Sequence, residues 1–80
     1  MADKRFIRYD YHGSLGHAIE EAGEFIAAAG KTLRWGLDGV NPDLPPYDQE
    51  TNARWLQREM KDLREALDRL QACFDEDRLP

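Results

Sequence analysis

The sequence predicts an all-α protein, a helical hairpin that oligomerises into a four-helix-bundle-like assembly. Two stretches carry apolar residues at the three-and-four spacing of amphipathic helices, and a segment rich in proline and glycine divides them. The 80 residues make one domain at most. Chains this short bury a small share of their surface, so a two-helix unit gains much from association with copies of itself.

Residues 1–13 read as an irregular or short extended arm. It is rich in aromatics (Phe6, Tyr9, Tyr11) and ends at the turn-prone His12-Gly13-Ser14, with Ser14 as a helix cap. Helix one is expected over 15–35, where Leu15, Ala18, Ile19, Ala22, Phe25, Ile26, Ala29 and Leu33 keep helical spacing. Gly23 and Gly30 each cost about 1 kcal/mol relative to alanine inside a helix, which suggests close packing or ligand approach at those positions. Residues 36–51 contain Gly36, Gly39, Pro42, Pro45 and Pro46 and read as a loop without a regular element. Thr51 or Asn52 caps helix two, expected over 52–74 with the stripe Leu56, Met60, Leu63, Leu67, Leu70 and Phe74. Residues 75–80 form an acidic tail.

Charged residues make up 34% of the chain and hydrophobic residues 41%, enough for one apolar face per helix in a folded, soluble protein. The formal net charge of −5 argues against a nucleic-acid partner, since DNA or RNA binding needs clustered Lys and Arg to displace counterions. An acidic surface still suits a phosphate ligand that arrives bridged by a cation. The single cysteine, Cys73, excludes an intrachain disulfide and a multi-cysteine zinc site, and fits a small apolar filler in a reducing compartment. The start is charged, and no segment approaches the ~20 apolar residues of a membrane span. No membrane association and cytoplasmic residence are therefore expected.

Helical geometry gives the carboxylates a direction. With about 100° between successive residues, Glu21 and Glu24 lie just beyond one edge of helix one's apolar stripe, with Glu20 on the far side. On helix two, Trp55, Glu59, Asp62 and Ala66 share one flank, and Glu59 is nearest the stripe. Two facing helices then bring two acid pairs to a common edge. Four carboxylates in a partly desolvated groove repel one another unless a hard divalent cation neutralises them. Mg²⁺ suits all-oxygen ligands, with Mn²⁺ as a substitute. Surface acids also suit a solvated face: Glu20, Glu21 and Glu24 complement the dipole of a helix start, and Arg58, Lys61, Arg64, Glu65, Asp68 and Arg69 offer intrahelical partners.

The strings Glu20-Glu21-Ala22-Gly23-Glu24 and Glu59-Met60-Lys61-Asp62 resemble the EExxE and ExxD motifs of MazG-like, all-α nucleoside triphosphate pyrophosphohydrolases. Lys31-Thr32-Leu33-Arg34-Trp35-Gly36-Leu37-Asp38, Asn41-Pro42 and Glu50-Thr51-Asn52 resemble the linker of short phage-type members. The likeness runs over about residues 15–70. It implies a bundle completed by dimerisation or higher assembly, metal ligands at Glu21, Glu24, Glu59 and Asp62, and hydrolysis of a (deoxy)nucleoside triphosphate to the monophosphate and pyrophosphate. In such a site Glu20 or Glu24 takes the proton of the attacking water, Lys31 and Arg34 contact phosphate, and Trp35 offers a stacking surface. The usual family form continues with further helices after the second motif, so partner subunits are expected to complete the pocket here.

Other constellations carry less. His12 and His17 are five apart and do not align as a zinc pair on one helix face. Ser14 near His17 lacks a third member and an oxyanion signature, so a capping role fits it better, and Asn52 fits a cap better than a base reader. Tyr9, Tyr11 and Tyr47 are expected to pack the arm and loop against the bundle. The competing functional reading is a non-catalytic helical oligomeric module that binds a nucleotide or a protein partner.

Overall fold

No proline interrupts the chain before Pro42, and in the computed structural model a single helix, α1, runs Asp3–Trp35. The structure describes the backbone of residues 3–78 and the side chains of residues 11–75. The extended arm expected at 1–13 is thus replaced by helix from Asp3 onward. Gly13 does not stop it: a glycine costs about 1 kcal/mol in a helix, and the packing of Tyr11, Ser14 and Ala18 on either side of it offsets that. Ser14 is consequently mid-helix and caps nothing; it accepts a hydrogen bond from the Cys73 thiol (3.6 Å). Phe6 and Tyr9 lie outside the described side chains.

α1 ends where expected. Gly36 takes φ +86°, the left-handed conformation that closes helices and that glycine adopts without strain, and its N–H donates to Thr32 O (2.8 Å). A short 3₁₀ turn, Pro46–Asp48, interrupts the loop, which is more ordered than its composition suggested. The second helix, α2, runs Asn52–Arg78, so the acidic segment after Phe74 extends it rather than forming a separate tail. Thr51 is its cap, with Oγ1 accepting the Arg54 N–H (3.2 Å). Among the described residues there is no strand, only an isolated antiparallel bridge between Val40 and Thr51. Among the described residues no helix is long and apolar enough to cross a membrane.

The two helices pack antiparallel into a rod 54 × 18 × 17 Å. The mating face of α1 is the series Tyr11, Ser14, Ala18, Glu21, Phe25, Ala28 and Thr32, all buried or half-buried. Their alternating steps of three and four are those of a coiled-coil seam. Opposite them α2 presents Asn52, Trp55, Glu59, Asp62, Ala66 and Cys73. Ala18, Ala28 and Ala66 are the buried apolar residues, and their small side chains let the backbones approach.

This seam differs from the apolar stripe read from the sequence. Leu15, Ile19, Ile26 and Leu33 stand outside it, Ile19 at 64%, Ile26 at 66% and Leu33 at 90% exposure. They lie roughly 120–160° around α1 from Glu21. The loop supplies the reason, because it fixes the rotation of α2. Asn52 N–H donates to Gly39 O (2.8 Å) and Ala53 N–H to Leu37 O (2.9 Å). The buried Asn52 side chain donates through Nδ2 to Gly36 O (2.9 Å) and Lys31 O (3.5 Å). Asn52 therefore ties helix to loop instead of capping. A Cβ on Gly23 or Gly30 would meet nothing within 4 Å, so neither glycine serves packing inside the hairpin. Tyr11 packs near Phe74, with ring centroids 6.3 Å apart, whereas Tyr47 is 85% exposed and does not pack.

The loop ties make a specific expectation. A Cβ on Gly39 would come within 2.9 Å of both Trp35 O and Asn52 Nδ2, so Gly39→Ala must push the loop off the helix end. It should cost about 1–3 kcal/mol, and Asn52→Ala about 1–2 kcal/mol, through orphaned carbonyls. Thermal melts should show both variants falling by about 4 °C or more while helical circular dichroism at low temperature is kept.

Candidate functional site

The seam is apolar at its alanines and acidic between them. Glu21 from α1 and Glu59 and Asp62 from α2 each offer a carboxylate oxygen within 4.8 Å of the others. Glu59 is only 4% exposed, and Glu21 and Asp62 are half-buried. Glu59 Oε1 and Glu21 Oε1 are buried with no hydrogen-bond partner. A buried carboxylate oxygen without a donor is costly, and two of them with a third carboxylate nearby more so.

Partial compensation comes from outside the trio. Arg58 donates to Glu59 Oε2 (3.3 Å) and to Glu50 Oε1 (2.6 Å). The bond to Glu50, aided by the nearby Glu59 and Asp62 charges, holds the Arg58 pKa above its ordinary value. Arg58 is therefore a fixed cation beside the acids. His17 Nδ1 stands 4.0 Å from Glu21 Oε2. Arg58 thus satisfies Glu59 Oε2, while Oε1 of Glu59 and Oε1 of Glu21 stay buried without a donor.

Of the four acids expected to converge, three do. Glu24 is exposed and lies outside the trio, about 60° around α1 from Glu21 and one turn further along. Glu20 is exposed on the same side, further round. Lys31 and Trp35 lie on the same edge as Glu24, and Lys31 and Trp35 both line a cavity under the loop. Arg34 is exposed, with its guanidinium 6.0 Å from the Trp35 ring centroid. The solvated-face reading holds for the outer side of α2, where Lys61 pairs with Glu65 at 2.9 Å. That pair raises the Lys61 pKa and lowers that of Glu65.

The site reaches beyond the motif residues in three places. Arg58 screens Glu59, Trp55 lines the cavity one turn before the acids, and Asn52 holds the loop over it. Trp55 had a signal in the sequence, since it shares the flank of Glu59 and Asp62. Arg58 did not stand out among so many α2 charges.

Glu21, Glu59 and Asp62 could hold a hard divalent cation, which takes oxygen ligands. In a chelator the same oxygens are mutually repulsive. Glu59→Gln replaces one charge by an amide that can donate to Glu21 or Asp62, so in chelator the variant should melt several degrees above the wild type. A wild type that melts higher in chelator would show that the trio is not self-repelling. Compared with known proteins, the chain matches no family model, no curated protein and no solved structure.

Proposed function

We propose that this protein is a Mg²⁺-dependent nucleoside triphosphate pyrophosphohydrolase of the MazG-like kind, working as a homo-oligomer. The observation that carries the reading is the buried, unpartnered Glu59 Oε1 within a trio whose other members come from both acid motifs. Glu21, Glu59 and Asp62 would hold the cation, and Glu24, one turn along the open edge, would join them or take a proton. When bound, the cation supplies charge for the triphosphate and acidifies a water.

The chain's own residues divide the remaining tasks. Glu20 and Glu24 are solvent-facing carboxylates beside the trio, able to accept a proton from water on that side. Lys31 lies two turns from Glu24 on the same edge and offers a cation to phosphate oxygens, and Arg34 adds a second one at the helix end. Arg58 stays protonated and limits the repulsion that a polyanionic substrate meets on approach.

The oligomer is supported by what the hairpin leaves uncovered. Leu15, Ile19, Ile26 and Leu33 on α1 and Leu67 and Phe74 on α2 are exposed. Helical geometry puts both sets on one side of the rod, away from the edge that carries Glu24, Lys31 and Asp62. Gly16, Gly23 and Gly30 alternate with Ile19, Ile26 and Leu33 at steps of three and four, which permits close approach of a second copy's helix. A second hairpin on that face makes a four-helix bundle while the acid edge stays open.

Two experiments test this. Purified protein with Mg²⁺ and each NTP and dNTP should yield nucleoside monophosphate and pyrophosphate. Glu59→Gln and Asp62→Asn should each reduce turnover by at least about a hundredfold, roughly 3 kcal/mol of transition-state stabilisation, and chelator should abolish it. Absence of product with every nucleotide and with Mg²⁺ or Mn²⁺ sinks the enzymatic reading in favour of a binding module. For assembly, light scattering should give a dimer or tetramer, with Ile19→Glu and Ile26→Glu both shifting it to monomer.

A further inference from the structure

The loop does more than connect the helices: with the ends of α1 and α2 it borders an open pocket of about 420 Å³, most of whose lining residues are exposed. That volume is within the range of small-molecule sites. Trp35 and Trp55, the chain's two tryptophans, both line it, and its other walls include Lys31, Asn41, Asp43 and Asn52. Trp35 is 65% exposed, an expensive placement for a large ring in a chain with so few buried apolar groups. The cavity is held in shape before any ligand arrives, by the Asn52 ties and the Val40–Thr51 bridge.

The polar groups are set at its rim with bonding capacity to spare. Asn41 Oδ1 accepts the Asp43 N–H (3.0 Å), which leaves its Nδ2 as a donor. Asn52 uses Nδ2 on Gly36 and Lys31 carbonyls, which leaves its Oδ1 as an acceptor. Asp43 adds a carboxylate and Lys31 an ammonium. Aromatic walls with neighbouring donors and acceptors match a flat, nitrogen-containing ring with a hydrogen-bonding edge. The cavity also shares an edge with the acids. Trp55, Glu59 and Asp62 follow one another at steps of four and three on α2, so the cavity lies one to two turns from the trio.

From this we infer that the loop cavity is a nucleobase site, stacking a planar heterocyclic base against Trp35 and Trp55 and reading its edge with Asn41 and Asp43. The inference rests on the pyrophosphohydrolase reading for its substrate, but base binding at the loop needs no cation. Loop and trio are therefore separable by experiment.

Because both tryptophans are in the cavity wall, intrinsic fluorescence of the full chain reports on it directly. In chelator, titration with adenosine, guanosine, cytidine, thymidine and their 5′-monophosphates should give saturable quenching for at least one base, whereas ribose 5-phosphate should give none. Trp35→Leu, at an exposed position, and Asn41→Ala should each weaken that binding, by about tenfold for the tryptophan. Glu59→Gln should keep it within about twofold while losing turnover. Saturable quenching without hydrolysis upholds the base site and defeats the enzymatic reading. Hydrolysis with no nucleoside quenching, and with KM unchanged in Trp35→Leu and Asn41→Ala, defeats the base site alone. Equal affinity for ribose 5-phosphate and nucleosides also overturns it.

Discussion

The structure depends on placing negative charge in the one seam that the hairpin has. Glu59 occupies a position that in an ordinary coiled coil takes leucine, and Glu21 approaches it from the other helix. A seam of this kind gains less from hydrophobic burial than a leucine seam, since its large apolar side chains are only half-buried. It has alanines at its closest approach, Arg58 bonded to one Glu59 oxygen, and the loop holding one helix end against the other. Removing like charges from water raises the free energy of the fold. Burial of like charges works against the stability of such a seam, and this imbalance is what the proposed cation would relieve.

That constraint orders the rest of the rod into three directions around its long axis. The seam lies between the helices, the large aliphatic side chains project to one side, and the exposed Glu24, Lys31 and Trp35 lie along the other. The aliphatic side leaves Ile19, Ile26 and Leu33 in water, and it is the face on which the proposed association would act. Division of labour follows. The proposed association would bury the apolar side and raise stability without closing the acid edge, offsetting the cost of the acidic seam.

Much of this was legible in the sequence, and the remainder was hidden for a definite reason. Periodicity located both helices, with α1 ending at Trp35 and α2 beginning at Asn52, and the i, i+3 acid spacing put Glu59 and Asp62 on the flank where Glu21 meets them. Periodicity marks which residues avoid water, however, and not which surface covers them. Ile19 and Ile26 looked like the hairpin's core because nothing in a single chain distinguishes a stripe that meets its own second helix from one that meets a copy. The rotation that decides the matter is set by Asn52, whose side chain reaches carbonyls 16 and 21 residues away, a long-range contact that local spacing does not encode. The helix from Asp3 onward is hidden for the opposite reason: His12-Gly13-Ser14 is a local turn signal that a continuing helix overrides.

The loop shows the same logic at the other end of the rod. Gly36 turns the chain through a left-handed residue, Gly39 lets it lie against Trp35 and Asn52, and Thr51 starts α2 with its own cap. Each device is local and modest in energy, but together they fix where Trp35 and Trp55 stand relative to the acids on the same helices. A loop built only to reverse the chain needs far fewer residues, and these are spent on an open pocket next to the charged seam. The same interactions that rotate the acids into the seam thus shape the space beside them, so a change at Asn52 acts on both at once.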